Sequence, residues 1–113
     1  STHVLDTMNG CPAAGMAVSL FATQGDQVQL IKSLVLNADG RSDGPLLDNS
    51  QLQLGTYRLV FGVKDYFSAL GLVLPQPHFL DKVSLDFGVA EPTQHYHVPL
   101  LVSPWSYSTY RGS

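Results

Sequence analysis

Apolar and polar side chains alternate with a period of two residues over much of this chain, and no other feature limits its fold as strongly. The alternation is clearest in residues 16–21, 57–63 and 83–89. Because successive side chains of a β-strand point to opposite faces, this pattern is typical of half-buried strands. Turn-forming residues separate the stretches, at positions 9–10, 37–40 and 91–93. The pattern predicts an all-β chain.

One segment departs from this alternation. Asp65 can cap a short helix that runs to about Leu70, and Gly71 can end it in the left-handed conformation. We predict about seven to eight strands and one short helix, packed as a two-sheet β-sandwich, since two sheets bury such strands economically. Residues 1–113 make a single domain, because half of this length would hold too little core.

Charged side chains are scarce, at 13% of the chain, which is roughly half of the usual quarter. Two predicted strands, at residues 28–36 and 98–102, are apolar on both faces. We therefore expect another subunit to cover part of the surface. The net charge of −3 offers no basic patch for nucleic acid. The longest apolar run, residues 69–74, is far shorter than the ~18 residues that span a bilayer, so no membrane partner is expected.

Two histidines, His95 and His97, begin a predicted strand over residues 95–102. Period two directs one apolar set to the core, comprising Tyr96, Val98, Leu100 and Val102. Both histidines then point outward, to the face that a partner subunit would cover. A shielded imidazole with a pKa near neutrality suits proton transfer, whereas two solvated histidines at a sheet edge are the alternative.

Other polar residues offer further possibilities. His3 or His78 could complete a three-histidine zinc site with His95 and His97, although His78, between Pro77 and Phe79, is expected to be an exposed loop residue. The single cysteine, Cys11, excludes a Cys-rich zinc ribbon and a disulfide framework. Arg41 follows a predicted Asp39-Gly40 turn, where it is either a solvated residue or a fork of donors for a planar, carbonyl-rich ligand.

Taken together, these segments resemble the 5-hydroxyisourate hydrolases, also called transthyretin-like proteins. The resemblance rests on Thr2-His3-Val4-Leu5-Asp6, Asp39-Gly40-Arg41, His95-Tyr96-His97-Val98-Pro99-Leu100-Leu101 and the final Tyr110-Arg111-Gly112-Ser113. It runs the full length of the chain, in the order and spacing of the family.

The resemblance implies a transthyretin-like sandwich that assembles as a homotetramer, a dimer of dimers with its sites at the dimer–dimer interface. The implied reaction, which needs no cofactor, hydrolyses the purine derivative 5-hydroxyisourate to 2-oxo-4-hydroxy-4-carboxy-5-ureidoimidazoline in urate breakdown. The implied catalytic residues are His3, Arg41 and His97. The implied substrate-binding residues are His3, Arg41, His95, Tyr110, Arg111, Gly112 and Ser113.

Two other functions remain open from the sequence. One is a transthyretin-type carrier that binds small aromatic ligands in the same channel. The other is a zinc-dependent hydrolase with His3, His95 and His97 as ligands. The default compartment for a chain with one cysteine and no Ser-Lys-Leu ending is the cytoplasm.

Overall fold

A computed structural model of the chain describes residues 1–47 and 52–112. In chain order its elements are β1 (Thr2–Asp6), β2 (Cys11–Pro12), β3 (Ala17–Gln24), β4 (Gln27–Val35), β5 (Gly55–Phe61), α1 (Val63–Ala69), β6 (Val83–Val89), β7 (Val98–Val102) and β8 (Tyr107–Thr109). Two four-stranded sheets result, with strand orders β2-β1-β7-β8 and β4-β3-β5-β6. The predicted all-β sandwich of seven to eight strands with one short helix is confirmed.

The core lies between the inward faces of the two sheets. Val4 and Leu100 contribute from the first sheet, and Leu20, Leu59 and Phe61 from the second, all with 1% or less of their surface exposed. Their neighbours along each strand face outward, as period-two alternation requires. The outward-facing side chains of the first sheet include His3 on β1, which is half-buried.

The central pair of the first sheet, β1 and β7, is parallel although the two strands lie at opposite ends of the chain. In the register of this pair, Thr2 lies opposite Val98 and His3 opposite Pro99. The residues just before β7 therefore lie beside the start of β1. This pairing brings the histidines of the two chain ends to one outer face.

The helix α1 begins three residues earlier than predicted. Asp65 lies in its first turn rather than at its cap, and the N-cap is Gly62, which makes no side-chain cap hydrogen bond. The earlier start places Val63 in the core, while the partial positive charge of the helix start favours the Asp65 carboxylate. The predicted end is confirmed: Gly71 has φ +77°, and its N–H donates to the Ser68 carbonyl at 3.1 Å.

The strand predicted for residues 95–102 begins at Val98, so its first three residues were assigned wrongly. Its neighbour β1 begins at Thr2, which pairs with Val98, so residues before Val98 have no β1 residue to pair with. His97 forms an isolated bridge with Gly112 instead. The prediction that His78 is exposed was also wrong: 9% of it is exposed, and it lies among Pro75, Pro77, Pro104 and Trp105.

The apolar strand at residues 28–36 corresponds to β4, at the edge of the second sheet. Val28, Leu30 and Val35 are 46%, 54% and 62% exposed. These side chains form an uncovered apolar edge in the single protomer. Among the described residues, no helix is long and apolar enough to cross a membrane.

Candidate functional site

His3 and Arg41 are neighbours on the outer face of the first sheet. On β1, Thr2, Val4 and Asp6 are buried, whereas His3 is half-buried and points to the other side. His3 forms an isolated antiparallel bridge with Arg41, and the adjacent Val4 N–H donates to the Gly40 carbonyl at 2.9 Å. The loop that carries Arg41 is thereby attached to β1.

A tight turn holds the backbone of Arg41, as predicted. The side-chain oxygen of Asn37 accepts hydrogen bonds from the N–H groups of Asp39 at 2.9 Å and Arg41 at 3.2 Å. The Arg41 carbonyl accepts the Asn37 N–H at 2.9 Å. Gly40 has φ +71°, and a Cβ there would lie 2.6 Å from the Val4 carbonyl oxygen, so only glycine fits this turn. The Arg41 residue itself is exposed on this fixed backbone.

His97 is held on the same face by both ends of the chain. Its carbonyl accepts the Gly112 N–H at 2.8 Å. Its ring Nδ1 lies 2.8 Å from the Ser1 hydroxyl, and the Ser1 carbonyl accepts the Val98 N–H at 2.9 Å. The side chain is half-buried, which shields the imidazole without closing it off.

The surroundings of His97 keep its imidazole neutral. Burial lowers the pKa of His97 from 6.5, and the nearby positive charges of Arg41, His3 and His95 lower it further. His3 is bridged to Arg41, and both residues and His95 lie close enough to His97 for their charges to affect its pKa; we call these four residues the His97 cluster. A neutral imidazole beside a guanidinium can accept a proton while the cation stabilises a developing negative charge.

The described C-terminal residues contact the segment before β7. The Arg111 Nη2 donates to the Gln94 Oε1 at 3.0 Å and to the His95 carbonyl at 3.4 Å, and its guanidinium lies 4.3 Å from the centre of the Tyr96 ring. Arg111, which is not one of the four residues of the His97 cluster, therefore holds residues 94–96 in place. Tyr110, 60% exposed, lines a cavity of about 340 Å³ between β6 and β8. Ser113 lies outside the described residues.

The three-histidine zinc site is not assembled. Within residues 1–47 and 52–112, no three His, Cys, Asp or Glu side chains form a group that could hold a metal ion. The histidines share a neighbourhood with Arg41, and its positive charge opposes a second cation there.

Sequence reasoning missed the contributions of two residues, Asn37 and Ser1, and one contact, that of Gly112 with the His97 ring. Asn37 had a detectable signal, because an Asn two residues before Asp-Gly is a common start of a side-chain-bonded turn. Ser1 and the packing of Gly112 on His97 had none, since both contacts join distant parts of the chain.

Comparison with known proteins finds relatives that match over the full length of this chain. The 5-hydroxyisourate hydrolase of Pseudomonas aeruginosa is 51% identical over 113 residues, covering 100% of this chain and 90% of that protein. The solved 5-hydroxyisourate hydrolase of Klebsiella pneumoniae is 33% identical with a TM-score of 0.76, covering 99% of this chain and 95% of that one. A sea bream transthyretin in complex with thyroxine is 29% identical with a TM-score of 0.85, covering 98% and 92%.

A crystal structure of (S)-allantoin synthase is 45% identical with a TM-score of 0.92. The match covers 99% of this chain but only 42% of the longer synthase chain. The sequence model of the HIUase/Transthyretin family matches residues 1–112 of this chain. With one sandwich, one cluster of histidines and arginine, and full-length relatives at about half identity, the chain belongs to the HIUase/Transthyretin family.

Proposed function

We propose that this protein hydrolyses 5-hydroxyisourate, with His97 as the proton acceptor and Arg41 as the stabiliser of charge. The observation that carries the proposal is that the half-buried His97, whose pKa is lowered, shares the outer face of the first sheet with Arg41, whose backbone the Asn37 turn holds. Water adds to a ring carbonyl of the substrate, and the ring C–N bond breaks. The ring opens to a carboxyl group and an N–H, giving 2-oxo-4-hydroxy-4-carboxy-5-ureidoimidazoline.

His97 removes a proton from the attacking water in this mechanism. A base must be unprotonated at the working pH, and the lowered pKa of His97 keeps it so. His3, attached through its bridge to the Arg41 loop, orients the water or the substrate. The proton taken up by His97 is returned to the leaving ring nitrogen.

Arg41 meets the negative charge that develops on the carbonyl oxygen. Donors stabilise a transition state best when they need no reorganisation, and the Asn37 turn fixes the backbone that carries this guanidinium. Its planar fork also matches a carbonyl edge of the heterocycle. His95 and residues 110–113 supply the remaining contacts to the substrate.

The outer face of the first sheet and the apolar β4 edge favour assembly. We propose a homotetramer, a dimer of dimers, whose dimer–dimer interface covers the His97 cluster and lets Tyr110 and the tail of a neighbouring chain close the site. A fold with a TM-score of 0.85 to a thyroxine-bound transthyretin is equally compatible with a carrier. The cluster of three histidines and an arginine suits a polar, carbonyl-rich ligand better than an apolar one.

A spectrophotometric assay tests the proposal. Urate oxidase generates 5-hydroxyisourate, and its decay is followed with and without this protein. We expect the decay rate to rise in proportion to protein concentration, His97→Asn to lose about 10²-fold or more, and His78→Asn, at a histidine outside the cluster, to retain the rate. Decay at the uncatalysed rate with well-folded tetrameric protein would refute the proposal. Metal analysis of the active protein tests the zinc alternative, which requires one bound metal per site.

A further inference from the structure

We infer that Ser1 is a positioning residue that fixes the tautomer of His97. Its hydroxyl accepts the Nδ1–H of the imidazole, so that Nε2 carries the lone pair. The inference starts from the 2.8 Å distance between Ser1 Oγ and His97 Nδ1. A neutral imidazole has one N–H, and the partner of one nitrogen decides what the other can do.

The direction of this hydrogen bond has chemical consequences. If the hydroxyl donated to Nδ1, the Nε2 nitrogen would carry the proton and could not accept another. If the hydroxyl accepts, Nε2 is the base. Because Nδ1 is already engaged by Ser1, only Nε2 can take a proton from water, so this step rests on the proposed function.

Ser1 is itself held in place beside His97 through its backbone. Its backbone nitrogen donates to the Tyr96 carbonyl at 2.8 Å, and its carbonyl accepts the Val98 N–H at 2.9 Å. These two partners flank His97 in the sequence. The same backbone segment, residues 96–98, therefore positions both the Ser1 hydroxyl and the imidazole.

Gly112 confines the His97 ring from the side opposite Ser1. Its N–H donates to the His97 carbonyl at 2.8 Å, and a Cβ at this position would overlap the imidazole at Cδ2 and lie 3.2 Å from Cγ. The glycine therefore packs directly against the ring. With the ring confined, Nδ1 stays toward Ser1, and a rotation that exchanged the two nitrogens would break the hydrogen bond.

The variant Ser1→Ala removes the acceptor and leaves the ring packing in place. The imidazole can then populate the Nε2–H tautomer, and we expect kcat to fall on the order of 10-fold with little change in KM, because a base in the wrong tautomer binds but does not react. Ser1→Thr keeps the hydroxyl and restores kcat. A purely structural serine would instead change the melting temperature of Ser1→Ala without changing the tautomer.

The decisive experiment is ¹H–¹⁵N NMR of protein labelled at histidine nitrogens, recorded near pH 8. We expect His97 to show Nδ1 protonated and Nε2 bare in the unaltered protein, a shift toward Nε2–H in Ser1→Ala, and recovery in Ser1→Thr. An Nε2–H tautomer in the unaltered protein overturns the inference, and so does an unchanged tautomer in Ser1→Ala. The spectrum is independent of turnover, so it separates failure of this inference from failure of the hydrolase proposal.

Discussion

The substitution Gly112→Ala tests how closely the C-terminal segment controls His97. The backbone of Gly112 lies outside the left-handed region, so alanine is permitted there by conformation. The added methyl group meets the imidazole and also lies 3.3 Å from Pro99 Cγ. The substitution therefore perturbs the ring and its neighbour without straining the main chain.

The size of the effect follows from the crowding. Carbon atoms in contact lie about 3.5–4.0 Å apart, so the 3.2 Å approach to Cγ, with still closer overlap at Cδ2, requires the ring to move on the order of 1 Å. Overpacking of this kind costs about 1–3 kcal/mol of unfolding free energy. A displacement of about 1 Å in a reacting group lowers kcat on the order of 10²-fold, or about 2.7 kcal/mol in the barrier.

The assay is the decay of 5-hydroxyisourate, analysed for kcat and KM, with light scattering to verify the assembly. Gly88→Ala is the matched control, because a Cβ at Gly88 meets nothing within 4 Å and its backbone also lies outside the left-handed region. Unaltered turnover in a folded, tetrameric Gly112→Ala protein would refute the reasoning. It would mean that His97 tolerates displacement and is not the base.

Three further predictions concern charge, protons and stability. Arg41→Lys keeps the charge but loses the fork, so steady-state kinetics should show kcat falling about 10²-fold and more than KM rises; a change in KM alone would make Arg41 only a substrate clamp. Because burial and neighbouring charges lower the pKa of His97 from 6.5, kcat/KM should fall toward acid with its midpoint below pH 6.5, as the imidazole becomes protonated; a fall centred above pH 6.5 contradicts this assignment. Tyr66 donates to the fully buried Asp6 carboxylate at 2.8 Å, so Tyr66→Phe should lower the unfolding free energy by about 1.5–3 kcal/mol in urea titrations while kcat stays unchanged; an unaltered unfolding midpoint would show that the two hydrogen bonds from Asn9 to Asp6 suffice.

Local alternation predicted which way the site residues point, and it did so without knowledge of the partner strands. The period-two alternation assigned His97 to the face opposite Val98 and Leu100. Both of these residues are buried, in agreement with their predicted place on the core face. The same local logic failed where tertiary contacts override it. His78 is buried by a proline-rich loop and Trp105, and β7 starts at Val98 because its neighbour β1 starts at Thr2.

The contacts that turn a histidine into a positioned base lie beyond such reasoning, because they join the two ends of the chain. Parallel pairing of β1 with β7 brings Ser1 to the imidazole, and the return of the chain through β8 brings Gly112 to its other side. Arg41 reaches the cluster through its bridge to His3 on that same β1 strand. The first sheet therefore assembles both the proposed base and the cation, so a change that weakens β1–β7 pairing should impair catalysis before it unfolds the second sheet.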